Sequence, residues 1–297
     1  MSMNSIIKHI LKDYYQLTLV RWEMIKSNSL YIAKTTRGIF YCRIDSRMSH
    51  KRREQLEAIF LFLYQMEVST FVPVLQNSKG SFITTFKSMN LYVMKNFGIS
   101  VKSFDPQYKD LDDLFSRIAG LWGLSVDSQM ITDGPFGLSR DSDSIYHAKK
   151  LLACSSACRG RDFLMECLDH AHLNWTTFTS LRGIGHGDLQ KQNMLRDRSG
   201  KLLLTDLETL GAYEQMEDVA YLAVQSTLNG NFKVSFHIAE RYKSVNQNGR
   251  LFCDLVIWTF IKEIILLSNQ NIDILPFCQL LQRREIEIQE LIACASR

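Results

Sequence analysis

A polar loop followed closely by an apolar strand constrains the fold of this 297-residue chain more than any other feature of its sequence. Residues 186–193 read HGDLQKQN, and residues 202–208 read LLLTDLE. The turn residues DRSG between them predict a hairpin whose second strand ends at Asp206. We therefore expect Asp206 to return beside the loop that carries Asp188 and Asn193, so that three polar side chains converge.

These three side chains match the chemical requirements of phosphoryl transfer. The reaction needs magnesium held by oxygen ligands and a carboxylate that orients the attacking hydroxyl. Asn193 offers a neutral oxygen and Asp206 a charged one, and Asp188 is the candidate catalytic base. Glu208 is open to two interpretations, since it could bind a second metal ion or pair with a basic neighbour.

The motif resembles that of the aminoglycoside phosphotransferase and choline kinase superfamily, whose small-molecule kinases share the protein-kinase fold. The superfamily motif is H-G-D, then Asn five residues after the Asp, then a strand ending in D-x-[DE]. The chain matches it at His186, Gly187, Asp188, Asn193, Asp206 and Glu208. The resemblance implies a bilobal α+β fold that binds ATP or another nucleoside triphosphate with Mg²⁺. It also implies a structural role for His186, and it places Asp218 where a helix-opening Asp braces the loop.

The first 98 residues carry the pattern of a small nucleotide-binding lobe, with a mixed β-sheet and one main helix. Three strand-like runs lie at 18–25, 30–35 and 39–44, and residues 49–66 then follow the helical period. Two more strands are predicted around FVPVLQ and SFITTF, separated by the turn NSKG, and LYVMKNF is expected to carry the chain out of the sheet. Residues 99–297 are mostly helical in pattern and form the predicted larger lobe.

The resemblance, which includes spore-coat-kinase-like members, implies how the first lobe holds nucleotide phosphates. Arg43 occupies the position of a phosphate-binding Lys, and its guanidinium fork is bulkier than an ammonium. Lys34 could supply the missing Lys only if its side chain points in the same direction as that of Arg43. The expected acidic partner of Arg43 on the helix is Glu57, with Glu54 as the alternative.

The resemblance also implies a hinge at residues 92–98. Backbone groups of Lys95 and Phe97 would bind the adenine edge, with Met94 behind it. The segment KSNS would take the place of a phosphate-covering loop, although it lacks the glycines of such loops.

Charge and composition narrow the class of partner. The first 98 residues hold 14 Lys and Arg against 6 Asp and Glu, a net +8, and the remainder carries −4. A basic first part suits an anionic ligand such as a nucleotide, and no basic stripe typical of nucleic-acid binding is present. The apolar run LFCDLVIWTFIKEIILL is interrupted by Asp254, Lys262 and Glu263, so it predicts a buried helix and not a membrane span. Seven irregularly spaced cysteines indicate thiols in a reducing compartment, which is expected to be the cytoplasm.

The spacing after the strand favours a small-molecule acceptor over a protein substrate. Only 12 residues lead from Asp206 to Asp218, too few for a long activation segment, and Gln190 stands where Ser/Thr kinases carry Lys. The resemblance implies that the acceptor hydroxyl belongs to an amino or sugar compound. Acidic residues in 105–143 and 214–218 could attract the amine of such a compound. The alternative is a pseudokinase-like nucleotide-binding module, suggested by Arg43 and the missing loop glycines.

Overall fold

The computed structural model describes residues 3–26, 29–96, 98–105, 107–122, 142–156, 158–170, 182–214, 216–245 and 249–296. These residues form two compact units. The first takes the described residues up to Ser100 together with Met194–Glu208, and the second takes those of 101–126, 133–193 and 209–297. The predicted α+β class is confirmed, since the first unit is built on a β-sheet and the second is mainly helical. A lobe boundary near residue 98 stays a prediction.

The described helices and strands are, in chain order, α1 (Met3–Tyr15), β1 (Leu19–Lys26), β2 (Leu30–Thr35), β3 (Gly38–Asp45), α2 (His50–Gln65), β4 (Ile83–Phe86), β5 (Met89–Lys95), β6 (Gly98–Ser100), α3 (Lys109–Trp122), α4 (Ser142–Cys154), α5 (Arg159–His170), β7 (Arg182–Gly185), β8 (Met194–Asp197), β9 (Leu202–Leu204), β10 (Gly211–Glu214), α6 (Glu217–Leu228), α7 (Phe232–Val245), α8 (Gly249–Asn269), α9 (Leu275–Arg283) and α10 (Glu285–Ser296). Short 3-10 helices occupy Lys191–Asn193 and Leu207–Thr209. The first unit holds an antiparallel sheet in the order β1-β2-β3-β5-β4 and a smaller one in the order β6-β8-β9.

One face of the five-stranded sheet is covered by α1. Ile7, Ile10 and Leu11 recur at helical spacing, and all three are buried. The strand residues in the same core are Tyr31, Ala33, Phe40, Cys42, Ile44, Leu91 and Val93. Because successive side chains of a strand alternate between faces, Arg43 on β3 and its cross-strand partner Tyr92 on β5 lie on the opposite face.

That opposite face receives α2, where the rings of Phe60 and Tyr92 lie 5.5 Å apart between centroids. The helix predicted from Ser49 to Met66 is confirmed, with these two residues as its caps. The Ser49 hydroxyl accepts a hydrogen bond from Arg52 N at 3.1 Å, which satisfies one of the unpaired N–H groups at the helix start. The buried residues of α2 follow the helical period and are Leu56, Ile59, Phe60 and Leu63.

The prediction of a regular strand at FVPVLQ was wrong. Residues 71–76 make isolated bridges, because Val72 N donates to β9 (2.8 Å) while Leu75 N donates to β5 (2.8 Å). Pro73 lies between these two residues and has no N–H to continue a ladder. The run LYVMK, which was expected to leave the sheet, instead forms most of β5 and pairs with both β3 and β4.

The hairpin predicted around DRSG is confirmed as β8 and β9. Its turn is closed by the Asp197 carboxylate, which accepts from the N–H groups of Ser199 (2.8 Å) and Lys201 (2.9 Å). The hairpin is anchored to the rest of the first unit by Leu204 N, which donates to Thr70 O at 2.9 Å.

The second unit surrounds the long helix α8. Its residues Phe252, Trp258 and Phe260 are buried, so the core helix predicted from the apolar run is confirmed. No helix among the described residues is long and apolar enough to cross a membrane. Two short strands, β7 and β10, pair beside the helices. Residues 123–141, which belong to the region 105–143 expected to attract an amine, lie outside the described residues.

Candidate active site

The loop that follows β7 is held by buried polar side chains. The N–H groups of His186 and Gly187 donate to the two carboxylate oxygens of Asp218, at 2.5 and 2.8 Å. The Thr209 hydroxyl donates to the His186 carbonyl at 2.6 Å. Burial raises the pKa of Asp218, while His186 and the two N–H bonds lower it. Asp218, in the first turn of α6, therefore braces the loop, in agreement with the architectural role that the motif implied.

The next two peptide groups are held as well. Lys262 Nζ donates to the Gly187 carbonyl at 3.2 Å. Asp188 N donates to His186 Nδ1 (3.3 Å), and Asn193 Nδ2 donates to the Asp188 carbonyl (2.9 Å). Every backbone N–H and C=O group of residues 186–188 thus has a side-chain partner, and this fixes the backbone conformation that presents Asp188.

Gly187 meets a steric requirement of this loop. Its backbone is left-handed (φ +80°), and a Cβ there would overlap the Tyr213 hydroxyl. That hydroxyl donates to the Thr209 carbonyl at 2.6 Å, so Tyr213 is itself fixed. Glycine is the residue that fits both the dihedral angle and the space.

The carboxylate of Asp188 is held by neutral amides. Gln190 Nε2 donates to both carboxylate oxygens (3.0 and 3.1 Å), and Asn193 Nδ2 donates to Oδ2 (2.9 Å). Asn193 makes both of its bonds to Asp188 through the amide nitrogen, and its amide oxygen is the atom that could accept a metal ion. The structure therefore brings together two of the predicted site residues, Asp188 and Asn193.

A cavity of about 170 Å³ lies beside Asp188 in the second unit. Its lining residues are Gly187, Asp188, Tyr221, Lys262, Glu263, Leu266, Leu267 and Gln270. The Tyr221 hydroxyl donates to Glu263 at 2.8 Å and also lies against Asp188. Burial raises the pKa of Glu263, the charge of Asp188 raises it further, and Tyr221 and Lys262 oppose the shift. A second carboxyl, less acidic than an exposed one, thus shares the cavity with Asp188.

The first unit holds the other charged group of the motif. Arg43 Nη1 lies 3.3 Å from Asp206 Oδ1, and Arg43 Nη2 bonds to Glu208 Oε1. The Arg43 side chain is only 11% exposed. The structure therefore brings Arg43, Asp206 and Glu208 into one ionic cluster.

Asp206 reaches this cluster through an unusual backbone conformation. It directly precedes the 3-10 helix Leu207–Thr209 and has a positive φ of 63°. For a residue with a Cβ this conformation costs about 1–2 kcal/mol. Strained residues of this kind concentrate at functional sites, where neighbouring contacts maintain the strain.

The amino-acid sequence gave no indication that two further residues belong to the ionic cluster. Arg52 of α2 donates from Nη2 to the Glu208 carbonyl at 2.7 Å. Tyr92 lies across from Arg43 on β5, and burial raises the pKa of its hydroxyl, with Glu208 and Asp206 adding to the shift. Side chains two residues apart in a strand lie on the same face of the sheet. Had LYVMK been assigned to the sheet, Tyr92 would therefore have been placed with Met94 on the face that carries Arg43.

The structure does not bring Glu57 to Arg43, although both residues are described. The Glu57 carboxylate accepts from the N–H groups of Phe82 (2.7 Å) and Ile83 (2.8 Å), so it fixes the start of β4. Glu54, the alternative partner, is exposed and pairs with His50 one turn earlier at 3.1 Å. Arg43 has no need of a helix carboxylate because Asp206 and Glu208 neutralise it.

The residues predicted at the hinge lie at the end of β5. Met94 is buried and forms an isolated bridge with Val74, and the exposed Lys95 pairs in register with Phe40 of β3. Phe97 lies outside the described residues. Their contacts with a nucleotide stay a prediction.

The donor atoms of Asn193, Asp206 and Glu208 suit magnesium, which prefers amide and carboxylate oxygens. In the first unit a cation, the Arg43 guanidinium, already lies against both carboxylates, so this position attracts positive charge. Within the part of the chain that the structure describes, no group of three or more His, Cys, Asp or Glu side chains could hold a metal ion.

Comparison with known proteins finds matches among solved structures and none among sequences. No protein-family model matches the sequence, and no curated protein sequence matches it. Among solved structures, an aminoglycoside phosphotransferase from Alicyclobacillus acidocaldarius is 13% identical over 94% of this chain and 92% of its own, with a TM-score of 0.67. The chain has the fold of these phosphotransferases.

Two further solved structures with this protein-kinase-like fold match almost the whole chain. The amicoumacin kinase hAmiN, solved with AMP-PNP, Ca²⁺ and Ami, is 12% identical over 99% of this chain and 94% of its own, with a TM-score of 0.62. The choline kinase LicA from Streptococcus pneumoniae is 15% identical over 99% of both chains, with a TM-score of 0.57. The resemblance inferred from the motif is thereby confirmed at the level of the fold.

Two of the acidic residues that were expected at 214–218 to attract an amine have structural roles instead. Glu217 and Asp218 are buried, and they bond to Lys262 and to the loop amides respectively. They are therefore not available to attract an amine. The carboxyl group beside Asp188 is Glu263, whose position in an otherwise apolar run was the one sequence signal for it.

Proposed function

We propose that this protein is an ATP-dependent small-molecule kinase that transfers the γ-phosphoryl group to a hydroxyl of an amino- or sugar-containing compound. The observation that carries the proposal is the Asp188 carboxylate, which borders a cavity and is held by Gln190 and Asn193 on a loop with a fully bonded backbone. Phosphoryl transfer is catalysed chiefly by positioning and electrostatics, and a carboxylate fixed in this way meets the first requirement.

Asp188 is the proposed catalytic base. It accepts hydrogen bonds from neutral amides, and these bonds leave the negative charge of the carboxylate in place. An acceptor hydroxyl in the cavity would donate to one oxygen of Asp188 and later release its proton there. Orientation and proton acceptance of this type contribute about 10²- to 10⁴-fold to rate.

The proposed metal ligands are Asn193, Asp206 and Glu208. When bound, magnesium would neutralise the nucleotide phosphates and polarise the transferred group. The Arg43 guanidinium now neutralises Asp206 and Glu208, and it is the proposed phosphate-binding cation once those carboxylates bind the metal.

The proposed adenine contacts are the backbone groups of Lys95 and Phe97, with Met94 as the apolar surface behind the base. Their support is the position of Lys95 at the end of β5, together with the AMP-PNP named in the amicoumacin kinase structure. GTP in place of ATP is an outcome that the nucleotide assay below distinguishes.

The proposed acceptor carries an amine close to its reactive hydroxyl. Glu263 supplies a carboxyl in the same cavity as Asp188, and the Tyr221 ring and two leucines supply apolar walls. At about 170 Å³ the cavity is below the roughly 300–1,000 Å³ of typical ligand sites, which favours an amino alcohol over a whole aminoglycoside.

The test is phosphate transfer from ATP or GTP to a panel of amino alcohols, sugars and aminoglycosides. We expect turnover with an amino alcohol in the wild type and a loss of about 10²- to 10⁴-fold in Asp188→Asn, with nucleotide affinity retained. Lys149→Met is the control, since Lys149 is in an exposed pair with Asp169 (2.6 Å) outside the cavity lining. Equal rates in wild type and Asp188→Asn would refute the proposal.

A nucleotide-binding module without turnover is the second candidate, and the Arg43 ion pairs favour it. A guanidinium neutralised by two carboxylates is a weaker phosphate ligand than an unpaired Lys. Magnesium nucleotide binding with no transfer to any acceptor would support the module. If the wild type shows no transfer and Arg43→Lys produces it, the site is a degraded kinase. If the wild type does transfer phosphate and Arg43→Lys lowers turnover, Arg43 is an adapted phosphate ligand.

A further inference from the structure

Two charged side chains are buried in the second unit beneath the loop. Lys262 of α8 is 1% exposed and Glu217 of α6 is 2% exposed, and Lys262 Nζ lies 3.2 Å from Glu217 Oε1. Removing two charges from water is costly, and an apolar pair of similar volume often serves stability as well or better. This buried pair is therefore poorly explained by stability alone.

The surroundings hold the ammonium group of Lys262 in one place. Trp258 Nε1 donates to the same Glu217 oxygen at 3.3 Å, so the carboxylate is fixed from a second side. The Tyr221 ring lies with its centroid 4.7 Å from Lys262 Nζ, and the Tyr213 ring lies at 5.9 Å. The ammonium group also donates to the Gly187 carbonyl at 3.2 Å.

This last contact acts on the residue that bears the proposed base. The Gly187 carbonyl and the Asp188 N–H belong to one planar peptide group. Lys262 holds the carbonyl end, and His186 Nδ1 holds the N–H end at 3.3 Å. If Lys262 is removed, one end of the plane loses its partner, and the plane can rotate, which changes ψ of Gly187 and φ of Asp188 and so the direction of the Asp188 side chain.

We infer that Lys262, fixed by Glu217, is a positioning residue that sets the peptide plane between Gly187 and Asp188 and thereby the orientation of the Asp188 carboxylate. The inference rests on the proposed function for its effect on rate. Its effect on the loop is independent of any reaction, so the two can fail separately.

The test compares three variants with the wild type. Lys262→Met removes the donor but leaves Glu217 buried and uncompensated, so it is expected to lose stability. Combining Lys262→Met with Glu217→Gln removes both charges, and the Gln oxygen still accepts from Trp258. Lys262→Arg keeps a charged donor. Lys149→Met is the matched control, because it breaks an exposed Lys–Asp pair, 2.6 Å between Nζ and Oδ1, elsewhere in the same unit.

Three readouts distinguish positioning from a general structural role. In the double variant we expect faster hydrogen–deuterium exchange confined to residues 186–193, an unchanged dissociation constant for magnesium nucleotide, and kcat lowered by about 10- to 100-fold with little change in KM. Lys262→Arg should recover part of the lost kcat and of the lost protection. Lys149→Met should match the wild type in all three measurements.

The inference is overturned if the folded double variant keeps wild-type loop exchange and kcat, or if the Arg and Met variants lose kcat equally. It is equally overturned if melting temperature falls while exchange of the loop does not change. Should the wild type transfer phosphate to no acceptor, the proposed function fails, and the exchange experiment still decides whether Lys262 positions the loop.

Discussion

The loop at residues 186–188 and the cluster of Arg43, Asp206 and Glu208 hold the candidate functional carboxylates in opposite ways. In the loop, every backbone polar group is bonded, and Asp188 accepts hydrogen bonds from neutral amides. In the cluster, two carboxylates are held by a buried cation, and Asp206 has a strained backbone. The loop is organised before a ligand arrives, whereas the cluster contains a charge that a bound metal ion would have to displace.

Removing the cation should have the largest effect. Arg43→Met removes the guanidinium that contacts both Asp206 and Glu208, and breaking a buried ion pair costs about 3–5 kcal/mol. We expect that loss in the free energy of unfolding, measured by urea denaturation without divalent ions. Added Mg²⁺ should stabilise Arg43→Met more than the wild type, because the metal would replace the missing charge.

Arg117→Met provides the control for this experiment. Arg117 pairs with Asp113 one helical turn away at 2.9 Å, and Asp113 is 54% exposed. The loss should stay below about 1 kcal/mol and should not respond to Mg²⁺. If both variants lost the same stability, the cluster would not be the special ionic centre described above.

Crowding the loop should have the next largest effect. Gly187→Ala adds a methyl group that overlaps the Tyr213 hydroxyl in addition to the left-handed strain, so we expect about 3 kcal/mol of destabilisation. Gly200→Ala is the matched control. Gly200 is also left-handed (φ +91°), but its Cβ position is open, so it should lose only about 1–2 kcal/mol. A loss at Gly187 no larger than at Gly200 would contradict the packing described for the loop.

The strain at Asp206 should be measurable as a smaller difference. Asp206→Gly and Asp206→Ala remove the same carboxylate, and only Ala retains the penalty of a positive φ. We expect the Gly variant to be more stable than the Ala variant by about 1 kcal/mol in chemical denaturation. If the Ala variant were the more stable one, the left-handed backbone at Asp206 would not be stored strain.

The effect of Glu263→Gln should be smallest and should depend on pH. Burial raises the pKa of the Glu263 carboxyl in the folded state, so its stabilising contribution is complete below the unfolded pKa of about 4.3 and is lost as pH rises through the folded pKa. Glu263→Gln should therefore gain stability relative to the wild type as pH rises above this range. Thermal melting at acidic and neutral pH measures the difference, and a constant difference between the two proteins would disprove the shift.

Local patterns in the sequence were enough to predict much of the fold. Helical spacing and caps located α2, the turn DRSG located the hairpin of β8 and β9, and the run around Trp258 located α8 as a core helix. These features depend on residues close in sequence, where periodicity and turn chemistry dominate. The segment FVPVLQ was misassigned because its hydrogen bonds go to two different strands, which no local pattern records.

The residues of the motif could be predicted from the sequence, but the distant side chains that hold its loop could not. Asp188, Asn193 and Asp206 were selected by their spacing within 19 residues. The groups that hold Gly187 come from 31 and 75 residues away in the chain, at Asp218 and Lys262. A charged Lys262 in an apolar helix needs a partner where it is buried, but the identity of that partner required the tertiary structure.

The distant origin of these bonds has a consequence for folding. The polar groups that shape residues 186–188 belong to parts of the chain that must pack before they can reach the loop, and contacts of large sequence separation form late. During refolding, the hairpin of β8 and β9 should therefore be protected before the neighbouring loop. Catalytic competence would then appear only after α8 has reached its final position.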